Sequence, residues 1–537
     1  MGETCGRLST TCWSVKAVMQ FEFHAIDTLP KLAWCAQITR NNPIVRVVHG
    51  PWVETADDFV CEGAWNGEFS KGQFPDAFVY MGSGARLTDS GVLFSSPSHT
   101  VERLHVIEMG TRTLVSNSLA FLLVQADDWC DTRYMFYIHD LTSVMKGLKE
   151  YKRKIPTAKG NSVLIFYYCN VLIRPDLSLT QLEKRCPKPF QTYAELYDFL
   201  RTGIAALHQN AMDPLRKVSY SPLTTISSGY DSPAASVLAV SIGCKDAVTC
   251  TQARPGFQSF DDSGREVAKL IGLAVSEFDR HAYLHRDDFP EADFMAAGTG
   301  GEDVVMVAFE KLLPGKLFFT GYGGSFWDRN YDKSCRNFER RDASGNSLAE
   351  YRLRLGFIHV PVPYIIGVNL PSSNAISNSA EMHPWCTGNG YDRPVARRIV
   401  EERGVPRHLF GQQKKAISQP FSQLPLSTIM SKRSYEDFKA FSTNLPLFAN
   451  WTGASFFSLM KLLYDLNFWI NWKVRAAFER LGIFFELDPI IPDRFKHPVT
   501  VYALTFHWSL SKIKPRYTIT SMKTKSRDLQ RADGSGS

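Results

Sequence analysis

The sequence has no C-x-x-C pair among its 11 cysteines, and their irregular spacing indicates neither a zinc ribbon nor a dense disulfide frame. Reduced thiols in a cytoplasmic protein are the expectation. It has no G-x-x-x-x-G-K-[ST] segment, so the γ-phosphoryl chemistry of a P-loop is excluded. It has no charge-free apolar run of membrane-spanning length. The most apolar stretch, Leu459 to Phe485, is broken by Lys461, Asp465, Lys473, Arg475, Glu479 and Arg480, which predicts a packed amphipathic helix and no membrane span. The N-terminal segment lacks the apolar core of a signal peptide, and Gly6 stands where a myristoylation site requires a hydroxyl. Charge of one sign is scarce too. A net +7 spread over 537 residues predicts a solvated surface and no nucleic-acid groove.

What is present is the balance of a folded chain, with 44% apolar and 21% charged residues, so disorder is expected only at the ends. The basic, polar tail after Pro515 is one such end. The length exceeds one ordinary core and predicts three segments. Residues 1–190 are rich in short β-like runs, such as Pro43 to Val48 and Ser162 to Tyr168, and form a strand-rich domain. Residues 191–430 open with a helix over Tyr193 to His208, its apolar face set by Leu196, Leu200, Ile204 and Leu207. Strands (Leu223 to Ser227, Ala247 to Gln252, Val275 to Phe278, Leu317 to Thr320) then alternate with helices, and Ala375 to Ser418 closes the unit as helix. Such alternation predicts an α/β fold, a parallel sheet covered by helices with ligands beyond the C-terminal strand ends. Residues 431–537 read as an aromatic helical appendage ending in the basic tail.

The strongest chemical signal is Ser227-Ser228-Gly229-Tyr230-Asp231-Ser232, between the β-branched end Thr224-Thr225-Ile226 and the helix start Pro233-Ala234-Ala235. With Ser232 as N-cap and Pro233 at the first helical position, the loop turns its N–H groups and the positive helix end toward one spot. A phosphate chain suits that spot. Ser227, Ser228 and Ser232 add hydroxyls, Gly229 lets the backbone approach closely, and Asp231 is a hard oxygen ligand for Mg²⁺. A plain strand-to-helix connection accounts for the same residues.

This loop resembles the S-G-G-x-D-S pyrophosphate loop of the asparagine synthetases and related PP-loop ATP pyrophosphatases, in the adenine nucleotide alpha hydrolase superfamily, with Ser228 in place of a glycine. Further segments follow in the family's order. Thr251-Gln252-Ala253-Arg254 ends the second strand, where the resemblance implies adenine and ribose contacts through Thr251 and Arg254. Phe260 to Gly272 is similar to the family's D-E-x-x-x-A-x-x-x-A-x-x-L-G helix. Thr320-Gly321-Tyr322-Gly323-Gly324-Ser325 resembles its T-G-E-G-x-D-E turn, which implies nucleotide contacts at Gly321, Tyr322 and Gly323. Ser379 to Trp385 resembles G-x-E-x-R-x-P-F, and Arg393, Arg397 and Arg398 precede Gln413-Lys414-Lys415, where the family has R-x-K-x-x-F.

The resemblance covers Pro222 to Pro420. It implies a doubly wound PP-loop (HUP-like) sheet with helices on both faces, preceded by a strand-rich α+β Ntn-like domain. It also implies ATP and Mg²⁺ as cofactors, Asp231 and Asp328 as metal ligands, and Lys414, Lys415 and Glu381 as catalytic groups. Lys414 or Lys415 would neutralise departing pyrophosphate; two adjacent surface lysines otherwise need no function. Glu381, beside Met382 and near Trp385, would be a base tuned by desolvation, or else a buried ion pair with an arginine. The acids of the T-G-E-G-x-D-E turn are absent, Tyr322 replacing one and Gly324-Ser325 or Ser325-Phe326 the others, which leaves Asp328 as the substitute ligand.

In the family a cysteine at position 2 is the glutaminase nucleophile; here Gly2 occupies it, and Cys5 and Cys12 lie inside the chain. Thr113 to Leu123 is nevertheless similar to the late S-E-x-x-x-L-L stretch of glutaminase domains. A degenerate glutaminase-like domain is expected, with Met19 as a second candidate start. The resulting expectation is an AMP-forming carbon–nitrogen ligase that adenylates a small-molecule carboxylate or a peptide and accepts ammonia or an amine. The alternatives are a catalytically silent ATP-binding protein and an adenylating enzyme of sulfur transfer. The motifs specify neither the acceptor nor the oligomeric state.

Overall fold

The computed structural model describes residues 19–253, 261–329, 337–340, 342–388, 391–412, 414–415, 417–419, 421, 424–444, 451–479, 492, 495 and 499–519. Its first part is strand-rich, as the β-like runs predict. The strands are β1 (Gln20–Ala25), β2 (Trp34–Thr39), β3 (Ile44–His49), β4 (Glu54–Thr55), β5 (Phe59–Trp65), β6 (Tyr80–Thr88), β7 (Gly91–Ser95), β8 (Leu104–Glu108), β9 (Arg112–Ser116), β10 (Lys154–Pro156), β11 (Ser162–Phe166), β12 (Cys169–Ile173) and β13 (Leu179–Glu183). They form a seven-stranded sheet, β1-β3-β2-β9-β8-β11-β10, and a six-stranded one, β13-β12-β7-β6-β5-β4. Ala36, Val47, Val106 and Val115 of the first sheet share a core with Val60, Phe94 and Val171 of the second. Their neighbours Cys35, Val48, Ile107 and Leu114 point the other way, into a core with helix α1 (Leu119–Gln125) and α2 (Tyr137–Thr142). Period-two alternation thus covers both faces of the seven-stranded sheet. Helix α3 (Tyr193–Ala211) packs on β5 and buries Leu196, Leu200, Ile204 and Leu207, the four residues its helical spacing selects.

The second part is built on a five-stranded sheet of β14 (Ser221–Thr225), β15 (Asp246–Cys250), β16 (Ala274–Phe278), β17 (Lys316–Thr320) and β18 (Ile358–Pro361), ordered β16-β15-β14-β17-β18. Every pair in it is parallel. Val248 and Phe318 enter one core, and Ala247, Leu317 and Phe319 enter another with α4 (Asp231–Val240) and α5 (Arg265–Ile271). Both faces are therefore covered, as a parallel sheet requires. Strand β18 was not expected from the sequence: Ile358-His359-Val360-Pro361 is four residues long and runs straight into a 3₁₀ stretch, Val362–Asn369. The helix expected between β16 and β17 is 3₁₀ over Glu302–Leu312. Helices α6 (Ala292–Ala296), α7 (Ala349–Leu355), α8 (Leu370–Ser377) and α9 (Pro394–Glu401) complete this part.

The two parts are joined by buried charge. Arg352 on α7 reaches Glu62 on β5 at 2.6 and 3.0 Å and Glu102 at 2.6 Å, with all three side chains buried. Glu62 also accepts from Ser83 and Asn117. Glu350, two residues earlier, accepts from Ser118 Oγ at 2.7 Å and from the Tyr517 hydroxyl, and burial pushes its carboxyl up to about 7.

Residues after 430 contain α11 (Lys432–Asn444), α12 (Trp451–Glu479) and α13 (Val499–Tyr517), preceded by α10 (Leu426–Ile429). Two of these helices, α13 and α12, differ in burial. Helix α13 packs on α6, α1 and α2, buries Phe506, Trp508 and Leu510, and pairs Arg516 with Asp293. Its Trp508 Nε1 donates to Asp437 at 2.8 Å. Helix α12 departs the other way from the packed amphipathic helix expected. Tyr464 packs beside Phe495 and Val499, while Leu459, Leu462, Leu463, Leu466, Phe468, Trp469 and Ile470 are exposed. Among the described residues no helix is long and apolar enough to cross a membrane, and the cysteines are free thiols. The tail expected after Pro515 begins as ordered structure, with Arg516 and Tyr517 in α13; residues 520–537, Gly2, Cys5 and Cys12 lie outside the described residues.

Candidate functional site

In the five-stranded sheet the chain runs from β14 outward through β15 to β16, then crosses to the other side of β14 and adds β17 and β18. The order of the strands in sequence is therefore third, second, first, fourth, fifth. Connections leave β14 and β17 in opposite directions, and the crevice that opens between their carboxyl ends is where such sheets bind ligands. Residues 226–230 follow β14 and the turn 321–323 follows β17, so both candidate nucleotide segments lie at that crevice.

The loop is held by its own hydroxyls. Ser227 Oγ lies 2.7 Å from Ser232 Oγ and accepts from the Gly229 N–H at 3.2 Å. Helix α4 begins at Asp231 with Tyr230 at its N-cap position and no side-chain cap, so Ser232 is inside the first turn and is not the cap predicted from sequence. Its hydroxyl is committed to Ser227 instead. Ser228 donates through N–H and Oγ to the carbonyl and carboxylate of Asp262, at 3.2 and 2.9 Å. Burial pushes the Asp262 carboxyl up, opposed by Ser228 and by Lys415.

Of the two candidate lysines, Lys415 is the one on the loop. Its Nζ donates to Ser228 Oγ at 3.0 Å and to the carbonyl of Asp261. Lys414 is exposed, and its charge acts on Asp231. The chain carrying both is tied to the loop by the Gly411 N–H, which donates to the Ser228 carbonyl at 2.9 Å. Arg397, fully buried, donates to the Tyr230 hydroxyl and the Gly411 carbonyl. Tyr230 is thus a structural anchor.

Asp231 is paired with Arg393, which also stands 5.1 Å from the Tyr391 ring. Burial pushes the Asp231 carboxyl up, Arg393 and Lys414 act against that, and Asp328 adds to it. The turn after β17 closes on the same group, and Gly324 makes this possible. A Cβ on Gly324 would stand 2.1 Å from the Asp231 carboxyl carbon. On the other side of the loop, a Cβ on Gly264, before α5, would stand 2.7 Å from the Ser227 nitrogen, where the obstacle is backbone.

The remaining expected residues divide. Gly321 and Gly323 line the turn beside the loop, a Cβ on Gly321 meeting the Ser232 nitrogen at 2.4 Å. Thr251 directly follows β15 and its carbonyl receives the Asp262 N–H at 3.1 Å; Arg254 and Gln413 lie outside the described residues. Tyr322 turns its ring toward His359, 5.8 Å away, and its hydroxyl toward Asp303, away from the loop. Asp328 is buried and electrostatically felt by Asp231. Glu381 differs from both readings of the sequence: it is a surface carboxylate, 41% accessible, paired with Arg398 at 2.8 Å, so neither a desolvated base nor a buried ion pair is found. Arg398 lies over the Tyr193 and Trp385 rings, and Glu381 also accepts from the Tyr193 N–H at 3.3 Å.

Sequence reasoning missed the roles of Asp262 and of the Arg393–Asp231 pair. The former is in the helix motif as quoted, but nothing local marks it as a loop partner; the latter joins residues 162 apart. Searches against models of known protein families and against curated proteins find no match for the chain.

Proposed function

We propose that the five-stranded sheet carries an ATP pyrophosphatase site of the PP-loop, asparagine-synthetase type, and that the protein is an AMP-forming ligase. The carrying observation is the convergence, at the switch point of a parallel sheet, of a hydroxyl-rich loop, a helix start and Lys415. Backbone N–H groups at a helix start, serine hydroxyls and a lysine form a donor set for phosphate oxygens.

In this reading the β- and γ-phosphates lie along Ser227 to Ser232, and a substrate carboxylate attacks the α-phosphorus. Pyrophosphate leaves with the bond's electron pair, its growing charge met by Lys415. Ammonia or an amine then displaces AMP from the acyl group. The chain's own groups supply positioning and charge neutralisation, with no covalent step on the protein. The strand-rich first part is read as a degenerate Ntn-type glutaminase domain, so the amine comes from solution and not from glutamine. Sulfur transfer is disfavoured, because Cys250, on β15 next to the loop strand, is buried with its thiol pushed up to about 12. One observation favours a silent ATP-binding protein: Asp231, the loop's own acid, is closed in an ion pair.

Within the loop Tyr230 packs into the core, while Ser227, Ser228 and Ser232 offer hydroxyls to phosphate. Asp231→Asn with Ser232→Ala is expected to lower ATP affinity by at least about tenfold, through loss of the carboxylate that orients Arg393 and of a hydroxyl, and to lower the melting temperature, because buried Arg393 loses its partner. Calorimetric titration with ATP, alongside thermal unfolding, measures both. A folded double variant with unchanged affinity removes the loop from the site.

A further inference from the structure

We infer that Arg393 is the resident cation of this phosphate site, standing where a divalent metal would otherwise be held, so that nucleotide binds there without a metal. The inference rests on the nucleotide reading above and adds what balances the phosphate charge.

A magnesium ion at such a site takes oxygen donors in near-octahedral geometry, through one or two carboxylates, phosphate oxygens and water. The resemblance points to Asp231 and Asp328 for that task, and the residues here do not fit it. One oxygen of Asp231 is the acceptor of the Arg393 guanidinium. The other, Oδ1, is buried without a hydrogen-bond partner, and the carboxylate is pressed against Gly324, whose Cβ position lies 2.3 Å from Oδ1. One oxygen is engaged by the guanidinium and the other is shut off from the solvent through which a hydrated ion would reach it. Among the described residues no three His, Cys, Asp or Glu side chains are grouped to hold a metal.

Arg393 is buried, and a guanidinium does not lose its proton in a protein, so releasing Asp231 would strand an arginine charge inside the fold. Asp328 adds its field to that of Asp231 around Arg393, which holds the cation in place. The sequence is complementary. Where the resemblance places acids after Thr320 this chain has Tyr322 and either Gly324-Ser325 or Ser325-Phe326, and an arginine sits on the loop's own acid, Asp231. With Lys414 acting on Asp231 and Lys415 on Ser228, three protein cations surround the loop. Arginine suits the task because its planar fork can hold a carboxylate and still offer N–H groups to phosphate.

The test is calorimetric titration of the full chain with ATP, once in excess EDTA and once in excess MgCl₂, and the same for Arg393→Gln. Parent affinities within about threefold of each other, and a loss of at least about tenfold in EDTA for Arg393→Gln, are expected, the latter being one charged contact. Binding of parent protein only with MgCl₂ overturns the inference and leaves the nucleotide reading standing. No binding in either buffer removes that reading, and the inference with it. Arg393→Gln leaves Asp231 uncompensated and can unfold. Asp231→Asn with Arg393→Gln removes both charges, and in EDTA it is expected to bind ATP at least about tenfold more weakly than the parent. Parent-like binding by that folded double variant overturns the inference.

Discussion

Lys415→Met is expected to slow pyrophosphate release by about 10²–10³, the usual cost of one lost electrostatic contact to charge that develops in the transition state, with a much smaller change in ATP affinity. The split follows from geometry. Lys415 already sits on the loop through Ser228 and the Asp261 carbonyl, so its charge is in place before any bond breaks. As the α–β bond opens, negative charge grows on the group it faces. Lys414→Met is expected to cost far less, because that side chain is exposed and acts on Asp231 without resting on the loop. Exchange of labelled pyrophosphate into ATP, over a panel of carboxylates, measures the step. Equal losses in the two variants would assign the lysines no separate roles, and a loss confined to ATP affinity would make Lys415 a ground-state contact.

The second large effect is on stability. Arg352→Met is expected to destabilise the protein by about 3–5 kcal/mol, because it leaves two buried carboxylates, Glu62 and Glu102, without their cation. Burial pushes the Glu102 carboxyl up even beside the arginine, so part of the loss is relieved by protonation. Combining Arg352→Met with Glu62→Gln and Glu102→Gln is expected to recover much of it, since the stranded charges are then gone. Thermal unfolding of the single and triple variants tests this. A single variant that melts with the parent protein would mean that Arg352 does not hold the two parts together.

How much of this was legible in the sequence depended on the range of each interaction. The strands around Leu223, Val248 and Phe318 announce themselves as short β-branched or aromatic runs between helical segments, and the loop is contiguous, so both were readable locally. The four-residue β18 was not, because a strand that short has no period to detect. Helix α13 looked like an appendage because its aromatic residues match no local partner. Its partners, Asp293, Glu350 and Ser118 among them, are at least 167 residues away in two of its contacts. Glu381 was chosen by motif position, yet Arg398, 17 residues on, holds it at the surface. The same distance effect hid the Arg393–Asp231 pair, the feature that decides which cation serves the loop.

The central claim is that the loop after β14 holds the phosphates of ATP as a leaving group, and the bond that breaks tests it most directly. Incubation of the purified chain with ATP, the carboxylate panel and ammonia or amines, followed by nucleotide chromatography, is expected to yield AMP and pyrophosphate in equal amounts, at a rate that depends on the carboxylate. ADP and phosphate as products would contradict the account, and tight ATP binding with no product under any combination would favour the silent nucleotide-binding protein.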